Sequence, residues 1–110
     1  RVVWFDFNAL CATTRSQNDY LELITQFDTF IVSDIPQMSP AMFSTARRFT
    51  WLIDVMYDHR VKLFVSARVP ATELYEEGQM ANEFARTVSR LLEMQSKEYL
   101  DEEILAVKVL

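Results

Sequence analysis

Two strand-like runs end in short polar groups. Thr29-Phe30-Ile31-Val32-Ser33 runs into Asp34, and the run from Val61 to Ala67 (VKLFVSA) carries Ser66 near its end. In an open parallel sheet, the carboxyl ends of strands are where ligands bind. An aspartate on one such tip beside a polar residue on the next can hold a metal ion in phosphoryl transfer, and that chemistry also needs a neighbouring carboxylate to orient water. Ile35 follows Asp34. The second carboxylate is therefore missing, and the expectation is that Asp34 turns the chain before Pro36. The single histidine, His59, sits beside Asp58. A histidine in the last turn of a helix interacts favourably with the helix C-terminus, which explains the pair without catalysis. Cys11 lies among apolar neighbours and reads as a small buried hydrophobe.

The arginines are the more informative cations. Arg47 and Arg48 fall on the flank of a long helical run, with Trp51 one turn from Arg47 and within stacking reach. In the last helical run Glu83, Arg86, Arg90, Glu93 and Lys97 form a charged stripe. Mixed charges at i, i+3 and i+4 usually make a solvated face whose pairs are worth only tenths of a kcal/mol each. The alternative is a docking surface that presents Arg86 or Arg90 to a phosphate or carboxylate on another domain.

These side chains need elements to position them. Val2-Val3-Trp4-Phe5-Asp6-Phe7 is β-branched and aromatic, as a strand should be, and Asn8 to Thr14 reads as a connection. Ser16 and Asp19 have the spacing of a capping pair, ahead of a helix whose Tyr20, Leu23, Ile24 and Phe27 share a face. The run 29–33 is almost continuously apolar, the pattern of a strand buried on both faces. Ser39 and Pro40 then predict the start of a long helix to about Asp58, with Met42, Ala46, Phe49, Ile53 and Met56 inward. Pro70 ends the third strand and Gly78 provides a hinge. A last helix from about Gln79 buries Met80, Phe84, Val88 and Leu91. Strands alternating with helices predict an α/β fold: an open sheet of three or four mainly parallel strands with flanking helices, in two or three layers. Residues 101–110 are expected to be a separate tail of acidic and apolar character, with Ile104–Leu110 as its apolar end.

Composition narrows the function. The 110 residues are half hydrophobic and include 14 aromatics, enough for one packed domain. A single glycine, Gly78, leaves no Gly-rich phosphate loop and no dinucleotide fingerprint. One cysteine and one histidine cannot build a zinc site or a disulfide scaffold, and a reducing compartment fits. The net charge of −5, of which residues 93–110 carry −3, argues against nucleic acid as a partner. Asp54 interrupts the longest apolar run, far short of the roughly 20 residues that span a bilayer. No signal-peptide pattern opens the chain, which starts on Arg1 and reads as a piece of something larger.

Several blocks together resemble a known family. They are Arg15-Ser16-Gln17-Asn18-Asp19-Tyr20; Ala46-Arg47-Arg48-Phe49 with Leu52-Ile53-Asp54 and Tyr57; and Val61-Lys62-Leu63 with Ser66-Ala67 and Pro70. The most specific is the closing run Glu83-Phe84, Arg86, Ser89-Arg90-Leu91, Glu93-Met94-Gln95-Ser96 and Glu98-Tyr99-Leu100. Over residues 2–100 the chain resembles the C-terminal part of the ZapE family, bacterial cell-division AAA+ ATPases related to a mitochondrial ATPase. The resemblance implies a C-terminal α/β domain (residues 1–100) like a degenerate half of a P-loop NTPase. It implies a parent that hydrolyses ATP with Mg²⁺ at residues upstream of this region, works in the cytoplasm, and gathers at the inner membrane with the division ring. No catalytic or cofactor-binding residue transfers to this chain, which lacks the phosphate loop and the catalytic acids. The expected role is support of the upstream ATP site or of a neighbouring subunit, with Arg47, Arg48, Arg86 and Arg90 as candidate contacts. The alternative is an adaptor that recruits division-ring partners without affecting hydrolysis.

Overall fold

The structure, a computed structural model, describes residues 1–96. Three strands, β1 (Val2–Asp6), β2 (Thr29–Ile35) and β3 (Lys62–Ala67), lie in the order β1-β2-β3, and both pairings are parallel. Helices α1 (Phe7–Cys11) and α2 (Gln17–Gln26) connect β1 to β2, α3 (Phe43–Asp58) connects β2 to β3, and α4 (Ala81–Met94) follows. The α/β alternation and the parallel sheet are as expected.

Local chemistry sets the boundaries. At the start of α2, the Ser16 hydroxyl accepts from the Asp19 N–H at 3.3 Å and the Asp19 carboxylate accepts from the Ser16 N–H at 2.8 Å. This reciprocal pair satisfies two N–H groups that the first helical turn leaves unbonded. The long helix begins later than the Ser39-Pro40 signal suggests. Pro40–Met42 forms a 3₁₀ turn, the Ser39 side chain makes no capping bond, and α3 starts at Phe43. The segment expected to be a plain connection contains α1, capped by the Asp6 carboxylate on the Asn8 N–H at 3.1 Å. Helix α4 starts at Ala81, two residues past the expected start at Gln79.

The core is a single hydrophobic cluster between one face of the sheet and the helices. Phe30, Val32 and Leu63 supply its sheet side, while Ala46, Phe49, Leu52, Ile53 and Met56 supply its α3 side. Phe49 is its pivot, with ring centroids 5.7 Å from Phe7 and 5.9 Å from Phe84. Helices α3 and α4 run the same way: Phe49 meets Phe84, Thr50 meets Thr87, Asp54 meets Arg90 and Tyr57 meets Glu93, at successive levels. Phe84 and Leu91 are buried as expected, but Val88 is only half-buried and Thr87 takes the deeper position. Among the described residues the fold has two layers. The strand read as buried on both faces is covered on one only, with Ile31 half-buried on the other side. The acidic and apolar tail, Lys97 and the boundary at residue 100 lie outside the described residues.

Candidate functional site

The four arginines separate into two kinds. Arg48 is half-buried, and its Nε donates to the Cys11 carbonyl at 2.7 Å, closing a carbonyl that the end of α1 leaves without a helical partner. Arg90 is 26% exposed; its Nη1 donates to Asp54 Oδ1, and its guanidinium lies 4.9 Å from the Tyr57 ring centroid. Both tie elements together. Arg47 and Arg86 instead face outward. Arg47 is exposed and lies over Phe43, 5.8 Å from the ring centroid. Phe43 takes the place that sequence spacing assigned to Trp51, because the Arg47 side chain leans back toward the preceding turn.

Arg86 is 61% exposed, and its Nη2 lies 3.5 Å from Asp54 Oδ2. Asp54 thus receives two arginines from successive turns of α4, the inner one at close range and the outer one loosely. Nearby, the Tyr57 hydroxyl donates to Glu93 Oε2 at 2.9 Å, and this bond raises the pKa of the phenol. The stripe is therefore a solvated face along its outer edge and a clamp between α3 and α4 along its inner edge. Sequence periodicity found its residues. It did not show that Asp54, one of the quoted motif residues, is the anion that orients two of the four candidates.

The strand tips carry less than their residue types suggested. Asp34 sits in the left-handed region at φ 60, at an irregularity in the pairing of β2 with β3, and its N–H donates to Ser66 Oγ at 2.9 Å. Asp34 therefore does not turn the chain before Pro36: it forms a bulge inside β2, which continues to Ile35, and aspartate is among the few residues that visit that backbone region. Ser33 Oγ accepts from Trp4 Nε1 at 3.0 Å. A further carboxylate reaches this end of the sheet from β1, where Asp6 pairs in register with Ser33, but it is used to cap α1. Asp6 is the last residue of β1, and only the parallel pairing with β2 brings it beside the other strand tips. No group of three or more potential metal ligands occurs among the described residues.

His59 caps the C-terminal end of α3, its Nδ1 2.9 Å from the Val55 carbonyl, and among the described residues forms no pair with a carboxylate. Cys11 is fully buried, and burial pushes its pKa up to about 12. The Tyr20 hydroxyl donates to the Leu10 carbonyl at 2.7 Å, with Cys11 Sγ 3.9 Å away; burial, then the neighbouring thiol, raises its pKa as well. No helix among the described residues is long and apolar enough to cross a membrane.

Comparison with known proteins places this architecture. Residues 1–103 match the family described as AFG1-like ATPase. The chain is 49% identical over 100 residues to the cell division protein ZapE of Escherichia coli K12, an alignment covering 91% of this chain and 27% of that protein. It is 34% identical to lactation elevated protein 1 homolog B of Danio rerio, over 84% of this chain and 25% of the relative. The chain thus spans about a quarter of the length of these relatives. No solved structure matches it significantly. The match along nearly all of the described fold supports one conclusion: the chain belongs to the AFG1-like ATPase family.

Proposed function

We propose that this chain is a non-catalytic domain of a division-associated ATPase, and that it supports an ATP site, or the assembly of subunits around one, through arginines on α3 and α4. The observation that carries this reading is the Asp54 arrangement. Arg90 meets the carboxylate closely, while Arg86 remains 61% exposed with a loose ion pair. A guanidinium held only loosely, at one terminal nitrogen, and otherwise open to solvent is suited to a phosphate or carboxylate on another domain. Arg47, exposed on α3, is the second candidate, whereas Arg48 and Arg90 act as positioning residues. The family name points to ATP, and hydrolysis with Mg²⁺ belongs to residues outside this chain. The name of the Escherichia coli relative supports a role in cell division.

Calorimetric titration of the 110-residue chain with Mg-ATP tests the non-catalytic part. The expected result is no saturable binding up to millimolar nucleotide; micromolar affinity would overturn the reading. Removing this domain from the full-length polypeptide should reduce ATP turnover. Full turnover with loss of recruitment to the division site would favour an adaptor instead.

A further inference from the structure

Among the described residues, the sheet has a second face that the helices do not cover. Along β1, β2 and β3 the residues pointing away from the core are Val2, Trp4 and Asp6, then Thr29, Ile31 and Ser33, then Lys62, Phe64 and Ser66. Register makes a row of three of them: Trp4 pairs with Ile31, and Ile31 pairs with Phe64. Trp4 is 70% exposed, Val2 62% and Phe64 42%, three of the five exposed large hydrophobics among the described residues. The Trp4 indole is not free to wander, because its Nε1 donates across to Ser33 Oγ at 3.0 Å. A large aromatic held in place by a hydrogen bond is the kind of group that anchors an interface, since little side-chain freedom is lost on contact.

All-parallel sheets occur almost only with both faces covered, and their strands then read as near-continuous apolar runs. These strands read that way, yet among the described residues nothing packs over one side. The aligned stretch accounts for 27% of the Escherichia coli relative, so nearly three quarters of such a polypeptide lies outside it. We propose that the Trp4–Ile31–Phe64 row seats an amphipathic helix supplied by that remaining part of the same polypeptide. Three strands spaced about 4.8 Å apart present a face roughly 10 Å across, the width of a single helix. The occupant carries an apolar stripe at i, i+3, i+4 and i+7. Its polar flanks meet Lys62 near one end of the face and Asp6 near the other. This inference rests on the reading of the chain as one domain of a larger ATPase and names the surface by which it is joined.

The test is a photo-crosslink in the full-length polypeptide, with p-benzoylphenylalanine in place of Phe64, combined with radical footprinting of the unsubstituted protein. The expected adduct joins position 64 to a peptide outside these 110 residues within a monomer-sized product. Trp4 and Phe64 should be oxidised at least tenfold more slowly than in the urea-unfolded protein, while Leu92, 53% exposed on α4, stays within about threefold. Adducts to residues 97–110, adducts between two copies, or oxidation of Trp4 and Phe64 at near-unfolded rates would each overturn the proposal. Neither readout depends on ATP turnover, so a failure of the arginine reading leaves this result standing, and the reverse.

Discussion

Arg90 and Asp54 form the closest ion pair between α3 and α4, with the guanidinium also lying over Tyr57. The pair is half-buried, 26% and 18% exposed, so solvent weakens it less than a surface bridge. Arg90→Ala should therefore destabilise the protein by about 1–3 kcal/mol, the range for losing a charge-assisted hydrogen bond, since Asp54 keeps only its loose pair with Arg86. Arg86→Ala should cost well under 1 kcal/mol. Urea unfolding of both variants checks this ordering, and equal losses would contradict the division of labour between the two arginines.

Gly78 has φ 136, and a Cβ built there would lie 2.1 Å from the Tyr75 hydroxyl oxygen and 3.3 Å from the Pro40 Cα. Both the backbone conformation and the close approach demand glycine. Gly78→Ala should cost at least about 2 kcal/mol. The Tyr75 hydroxyl is buried without a hydrogen-bond partner among the described residues. Tyr75→Phe should consequently be neutral or stabilising, and should recover part of the loss in the double variant. Thermal unfolding midpoints of the three variants test this, and strictly additive losses would refute the contact.

Asp34 is a bulge residue of β2 and not a metal ligand in this account. At φ 60, glycine relieves whatever strain aspartate bears, so Asp34→Gly should leave the unfolding midpoint unchanged or slightly raised. In the full-length polypeptide it should also leave ATP turnover within about twofold. A tenfold or greater loss of turnover with the fold intact would return Asp34 to the chemistry.

Cys11 and Tyr20 make stability sensitive to alkali. Below pH 9 both are protonated in the native and unfolded states. Above it, the unfolded thiol, with its ordinary pKa of 9.0, loses a proton that the native thiol keeps until about pH 12, so stability falls across that window. Tyr20, also raised by burial, adds the same effect from its ordinary pKa of 10.0 upward. Each group removes up to about 1.4 kcal/mol per pH unit while it titrates in the unfolded state only. Urea midpoints should fall from about pH 9, and in Cys11→Ala from about pH 10. Native Cys11 should resist iodoacetamide at pH 8; modification at the rate of a free thiol would contradict its burial.

The sequence made some of this legible and hid the rest for identifiable reasons. Ser16 and Asp19 announced α2 because a capping box is a local device, readable from two residues. Phe49, Phe84 and Leu91 announced the core because helical periodicity is also local. Helix α1 was hidden because its cap, Asp6, is also the last residue of β1, so no connection separates strand from helix, and α3 started late because Pro40 suits a 3₁₀ turn as well as an α-helix. Thr87 displaced Val88 from the core because the Thr50 hydroxyl, 3.2 Å away, gives it a buried hydrogen bond that only the packing of α4 on α3 creates. The four arginines were all visible in the sequence. Their separation into clamps and exposed groups was not, since it depends on which carbonyl or carboxylate the fold brings to each.

ATP turnover by the full-length polypeptide carrying Arg86→Glu tests the central claim most directly. The account predicts a fall in kcat of at least tenfold, with the unfolding midpoint and far-UV spectrum unchanged; wild-type turnover in that folded variant would contradict it.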